Sequence, residues 1–258
     1  LEGNFDGGNH RLVGLYEKTD NYGGLFGCLV SPIKISNLAV RDGNIYGKSS
    51  TGSIIGYISA SDNSALTIEN CYNTAIITGP DTGGIIGYLS CKMLTMKNCI
   101  NTGKITGTEN VGGAIGSSYG DGYATALVEN CYNTGAITGK SIVGGIIGNG
   151  AQYYGKFTIT KCHNRGQIIS NSDSYYSHVG GILGIGKADA TYCSNEGKIS
   201  SGSFVGGIIG NGERGCMVSQ CYNMAEIMGN SFTGGIIGNG GDNTKADGCY
   251  NTGEIIGS

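Results

Sequence analysis

Two short words recur along this chain at a nearly fixed interval, and that recurrence limits the fold more than any single residue does. Gly-Gly-apolar-apolar-Gly begins at Gly23, Gly52 (with Ser53 in second place), Gly83, Gly112, Gly144, Gly180, Gly206 and Gly234, in steps of 29, 31, 29, 32, 36, 26 and 28 residues. Cys-x-Asn falls between them. Its cysteines are Cys71, Cys99, Cys131, Cys162, Cys193, Cys221 and Cys249, and its asparagines are Asn73, Asn101, Asn133, Asn164, Asn195, Asn223 and Asn251. The first copy departs from the pattern, with Leu38 near the cysteine position. A period of this size marks stacked structural units, each too small to bury its own apolar face.

Composition selects the kind of unit. Helical repeats need Ala, Leu, Glu and Lys in runs with a period near 3.6, whereas glycine supplies 50 of the 258 residues here, so helical repeats are not expected. Within each copy short bursts rich in Ile, Val, Thr and Tyr alternate with Gly, Asn, Asp and Ser turns, as in "LTIENCYN", "AIITG" and "GGIIG". The expected fold is all-β: a single right-handed parallel β-solenoid of about eight rungs, with three short strands and three corners per rung. Seven rung-to-rung steps of ~4.8 Å give a rod of roughly 34 Å. Residues 1–22 read as an N-terminal lead-in or cap, and 23–258 as one continuous solenoid, since no linker interrupts the repeat.

In such a coil equivalent residues stack in columns. Ile77, Ile105, Ile137, Ile168, Ile199, Ile227 and Ile255 form one expected interior column, while Glu69, Lys97 and Glu129 form an outward one with alternating sign. The glycines are expected to turn corners where a side chain or a negative φ does not fit. Neighbouring side chains on a flat strand face opposite sides. One isoleucine of each pair Ile85-Ile86, Ile146-Ile147, Ile208-Ile209 and Ile236-Ile237 therefore faces outward unless a corner divides the pair, and an apolar stripe would then invite lateral association.

The cysteine column reads first as buried small side chains. Rung-to-rung disulfides are the alternative: the ~4.8 Å spacing suits Cα atoms, but parallel Cβ vectors sit wider than a bridge prefers. Metal binding fits poorly, because one sulfur per rung makes a line and not a tetrahedron. Cys28, Cys91 and Cys216 lie off the column. The asparagine column reads as an amide ladder along the rod that satisfies corner backbone groups.

The opening "FDGGNHRLVGL" from Phe5 to Leu15, then "NYGGLFG" from Asn21 to Gly27, then cycles of "VGGIIG" and "NCYNTG" resemble the GLUG-motif repeats of bacterial surface proteins. The resemblance covers essentially the whole chain. It implies a repeat module of a large secreted or surface-anchored protein, among which are adhesin-like proteins and some that contain an IgA-specific metallopeptidase. No catalytic residue belongs to the motif.

Function classes narrow accordingly. A net charge of −3, from 16 basic and 19 acidic residues, provides no basic stripe for nucleic acid. No apolar run is long enough to span a membrane, and no cofactor motif occurs. The acids are scattered singly, and the three histidines, His10, His163 and His178, form no HExxH word. Two rungs widen at the same corner, after Gly116 and Gly148, which nominates Tyr119, Asp121, Tyr123, Tyr153 and Tyr154 as ligand-binding loop residues for glycan or protein. The chain stops at "GEIIGS" inside the repeat grammar, so either a longer array continues or another subunit covers the last rung. The sequence therefore points to a non-catalytic structural and adhesive module at the extracellular cell surface, with self-association, a host or cell-surface protein, or a glycan as partner. A self-assembling filament or sheath subunit is the alternative, and a polysaccharide-active β-helix enzyme the third reading.

Overall fold

A computed structural model describes residues 3–31, 33–60, 65–118, 125–150, 155–172, 176–200 and 202–257. Every strand pairing is parallel, and no helix occurs among the described residues. The strands stack into four sheets of 15, 9, 7 and 8 members that run the length of a coil of about eight turns. These are named here the cysteine, isoleucine, valine and closing walls, in the order the chain meets them. The isoleucine wall has nine strands, so the rod is about 38 Å long at the usual inter-strand spacing.

One turn illustrates the grammar. Thr125–Glu129 and Tyr132–Asn133 lie in the cysteine wall, Ile137–Gly139 in the isoleucine wall, Ile142–Gly144 in the valine wall and Ile147–Asn149 in the closing wall. A full turn therefore carries five short strands, where the sequence suggests three. Two corners were hidden. One splits the cysteine wall just before each cysteine, and the other falls inside the Gly-Gly-apolar-apolar-Gly word.

The first hidden corner is made by a column of residues in the left-handed region. Asn37, Asn70, Asn98, Asn130, Lys161, Tyr192, Gln220 and Gly248 all have φ between 51° and 58°. Asparagine tolerates this conformation better than other side chains, which explains "ENC" and "KNC" as a turn signal. Most word glycines serve another purpose. Gly113 and Gly135 do not have positive φ. At Gly113 a Cβ would collide with Gly145 O and press on Asn133, and at Gly135 it would collide with Gly103 O. These glycines permit close backbone approach: of the two expected reasons, the lack of room for a side chain applies here, and the need for positive φ does not.

The second hidden corner settles the isoleucine pairs. Ile85, Ile86, Ile146, Ile147, Ile208 and Ile209 are all fully buried, and only the last-rung pair, Ile236 and Ile237, is half-buried. The amides of Ile85 and Ile86 both donate to Ala114 O, each at 3.0 Å, because the chain turns between the two residues. Both members enter the core, and the apolar outer stripe expected from a flat strand does not exist.

The core is double. The cysteine and closing walls enclose the larger apolar cluster, which contains Ile146, Ile147, Val128, Phe157 and the cysteine column. From Ile105 onward a second cluster stacks Ile105, Ile137, Ile168, Ile199 and Ile227 against Val111, Val143, Val179 and Val205. Ile105↔Ile137↔Ile168↔Ile199↔Ile227↔Ile255 are in direct register, as the sequence predicts. The asparagine column stands at the waist between the two clusters, with Asn101, Asn133, Asn164, Asn195, Asn223 and Asn251 each against the second glycine of a Gly-Gly corner on the far side.

The stack already includes the segment read as a lead-in. Phe5–Val13 pairs with Lys34–Arg41, and Tyr16–Thr19 with Asn44–Gly47. Leu38 sits opposite Cys71, the place assigned to it from sequence. The first strand is irregular, however: its register shifts between Asp6 and His10, where Gly8 and Asn9 have φ of 57° and 61°.

Candidate functional site

The asparagine column forms a continuous ladder. From Asn73 to Asn251 each side-chain Nδ2 donates to Oδ1 of the asparagine one rung on, through Asn101, Asn133, Asn164, Asn195 and Asn223, at 2.6–2.7 Å. The second N–H of each amide donates to the carbonyl two residues later, as Asn133 does to Gly135 O at 2.9 Å. Asn73 through Asn223 are at most 1% exposed, and Asn251 in the last rung is half-buried. Buried amides satisfied on every rung fix the register of the whole rod.

The cysteine column runs beside it. Cys71, Cys99, Cys131, Cys162, Cys193 and Cys221 are buried, Cys249 is half-buried, and Cys28 is exposed. All are free thiols. The column thiols donate to the carbonyl two residues back, as Cys162 does to Thr160 O at 3.4 Å, and Cys99, Cys162, Cys193, Cys221 and Cys249 are also within reach of a carbonyl on the neighbouring rung, as Cys162 is of Val128 O at 3.5 Å. Burial holds the Cys99 and Cys162 thiols well above their ordinary range and pushes Cys91 up to about 11. Such thiols stay protonated at neutral pH and are poor nucleophiles. Among the described residues, no group of three or more His, Cys, Asp or Glu is placed to hold a metal ion.

The loop residues Tyr119, Asp121, Tyr123, Tyr153 and Tyr154 lie outside the described residues. Elsewhere on the surface, aromatic side chains mostly stack on one another along the rod. Tyr22, Tyr57 and Tyr88 form a pile with centroid spacings of 4.5 and 5.3 Å, Tyr132 stacks on His163 at 5.0 Å, and Tyr222 on Tyr250 at 5.2 Å. Rings piled this way spend their faces on each other and present edges outward.

Among the described residues, two concave regions of the surface stand out. One, of about 520 Å³, lies at the closing-wall corner and is lined by Lys187, Asn211, Glu213, Arg214 and Asn239 with the backbone of Gly212 and Gly241. Burial raises Glu213 to about 7, opposed by the nearby Lys187. Glu213 is the single carboxylate of that lining, and Arg214 is engaged by Asp242 at 3.2 Å. A lone acid titrating near neutrality could donate a proton, but hydrolysis of a glycosidic bond calls on two carboxylates flanking it. The other region crosses the outer face of the isoleucine wall as two adjoining depressions of about 340 and 310 Å³. They share Tyr46 and Thr78 and extend from Tyr16 to Thr108. Sequence reading missed both, because each is assembled from single residues on successive rungs and carries no local word.

These features define a class: a parallel β-solenoid of stacked repeats, pinned at its waist by an amide ladder. No model of a known protein family matches the chain, and no curated protein matches it. Among solved structures, a crystal structure of a "putative immunoglobulin A1 protease" from Bacteroides ovatus is similar, with a TM-score of 0.61 and 22% identity over 78% of this chain. This chain spans 61% of that one. At such identity the likeness carries the fold alone.

Proposed function

We propose that the chain is a non-catalytic structural and adhesive module of an exported surface protein, built from GLUG-type repeats and acting as a stiff rod that displays a binding face. The observation that supports this reading best is the amide ladder from Asn73 to Asn251, which passes through seven rungs without a break. A protein that must resist bending gains from a register fixed on every rung, whereas an active site usually interrupts such regularity. The likeness to the Bacteroides ovatus protein supports the solenoid fold, and because that protein is described as a "putative immunoglobulin A1 protease", an enzymatic role is the competing reading.

The filament alternative has less behind it. Lateral packing loses its motive because the isoleucine pairs are internal. The test is to incubate the full chain with immunoglobulin A1 and with a polysaccharide panel, and in parallel to coat beads with it and measure adhesion to epithelial cells. The expected result is adhesion without any released product. Product formation that Glu213→Gln abolishes would establish the enzyme instead, and beads no stickier than albumin-coated ones would remove the adhesive role.

A further inference from the structure

The outer face of the isoleucine wall presents two parallel files of side chains. In one, Tyr16 is opposite Asn44, which is opposite Ile76; in the other, Lys18 is opposite Tyr46, followed by Thr78, Thr106 and Thr138. Tyr16 is 74% exposed and Tyr46 37%. Among the described residues no ring stacks on either, in contrast to the Tyr22–Tyr57–Tyr88 pile. Strand geometry sets the Cα atoms of Tyr16 and Tyr46 about 8 Å apart on the diagonal.

Around these two free ring faces the lining is short and polar. Lys18, Asn44 and the hydroxyls of Thr78, Thr106 and Thr108 offer donors and acceptors, and Pro80 with the threonine methyls supplies apolar floor. Neighbouring charges are already engaged: Lys48 pairs with Asp20 at 2.6 Å, and the Glu17 carboxylate accepts from Gly24 N at 2.7 Å. The groove runs across four rungs, about 14 Å, so its shape suits an extended chain.

We infer that this groove binds an extended oligosaccharide, with a sugar ring against each of Tyr16 and Tyr46 and its hydroxyls bonded by Lys18, Asn44 and the threonine file. A pyranose has an apolar C–H face and a polar rim, which matches ring faces set in a hydroxyl-rich border. A peptide would fare worse. A peptide strand could add only along the outer edge of Tyr16–Thr19, where it would run beside the groove and not across it, because every later strand the groove crosses is paired on both sides. The inference rests on the adhesive reading and gives it a ligand class.

The test uses the full chain on a broad glycan array, followed by titration calorimetry with the best-bound oligosaccharide. Tyr16→Ala and Tyr46→Ala are each expected to weaken binding about tenfold or more, equivalent to about 1.4 kcal/mol. Tyr46→Phe, which keeps the ring, should stay within about threefold of wild type. Thr106→Lys should weaken binding by blocking the far end without touching either tyrosine. These side chains point outward, and unchanged melting curves confirm that the variants fold. No binding by wild type anywhere on the array, or binding indifferent to Tyr16→Ala and Tyr46→Ala, overturns the inference. Adhesion of coated beads that survives enzymatic removal of cell-surface glycans would overturn it too, while leaving the adhesive rod intact.

Discussion

Asn133 donates one side-chain N–H to Asn164 Oδ1 at 2.7 Å while its own Oδ1 accepts from Asn101 at 2.7 Å, both fully inside the rod. Asn133→Ala removes both links. It leaves a donor on Asn101, an acceptor on Asn164 and the Gly135 carbonyl without their partners. Each orphaned buried group costs about 1–3 kcal/mol, partly relieved by relaxation, so a loss of about 3 kcal/mol is expected. Chemical denaturation measures it, and a change within about 0.5 kcal/mol would show that the ladder does not hold the rungs.

The corner columns predict opposite signs for two substitutions. Tyr192 sits at φ 54° with 56% of its surface exposed, so Tyr192→Gly should stabilise by about 0.5–1 kcal/mol once the greater freedom of the unfolded glycine is subtracted. Gly135→Ala should destabilise by several-fold more, because its Cβ would meet the Gly103 carbonyl. Thermal melts of the two variants decide it. A destabilising Tyr192→Gly or a neutral Gly135→Ala would contradict the assignment of the corners.

Those two residues also show how far the sequence was readable. The period, the parallel stacking, the isoleucine column and the asparagine ladder all follow from words that repeat, and Leu38 could be placed opposite Cys71 from spacing alone. What escaped was backbone conformation within a word. A glycine that clears a carbonyl and a glycine that adopts positive φ look the same in sequence. The left-handed column was masked further because Lys161, Tyr192 and Gln220 replace its asparagines. Adjacent isoleucines likewise conceal a corner between them. The Tyr16–Tyr46 groove was invisible for a different reason: its residues are about thirty positions apart and acquire meaning only from register.

Thiol accessibility separates the states of the cysteine column. With one exposed, one half-buried and eight buried cysteines, a maleimide should label Cys28 quickly and Cys249 more slowly, and the remaining eight only on unfolding. The total in denaturant should reach the ten cysteines of the sequence. A total lowered by pairs, and restored by reductant, would mean that rungs are bridged.

Glu213 predicts a pH dependence. Its carboxyl titrates near 4.5 when unfolded and, raised by burial, at about 7 in the rod. The folded state therefore holds more protons between those values. Stability is highest below the lower pH and declines as the pH rises through the upper one. Glu213→Gln should remove this decline, so that the variant melts at or above wild type at pH 8 and the two converge near pH 4. Parallel melting curves across that range would show that Glu213 is solvated like a surface acid.

Amide hydrogen exchange tests the rod most directly. Thr134, Arg165 and Glu196 have exposed side chains, yet their amides donate to Asn101, Asn133 and Asn164 carbonyls on the preceding rung at 2.8–2.9 Å. In a stacked solenoid these amides exchange among the slowest in the chain, and protection falls toward Phe5 at one end and Ile255 at the other. Fast exchange at these three positions, or protection that ignores the rung order, would contradict a parallel rod held in register by its asparagines.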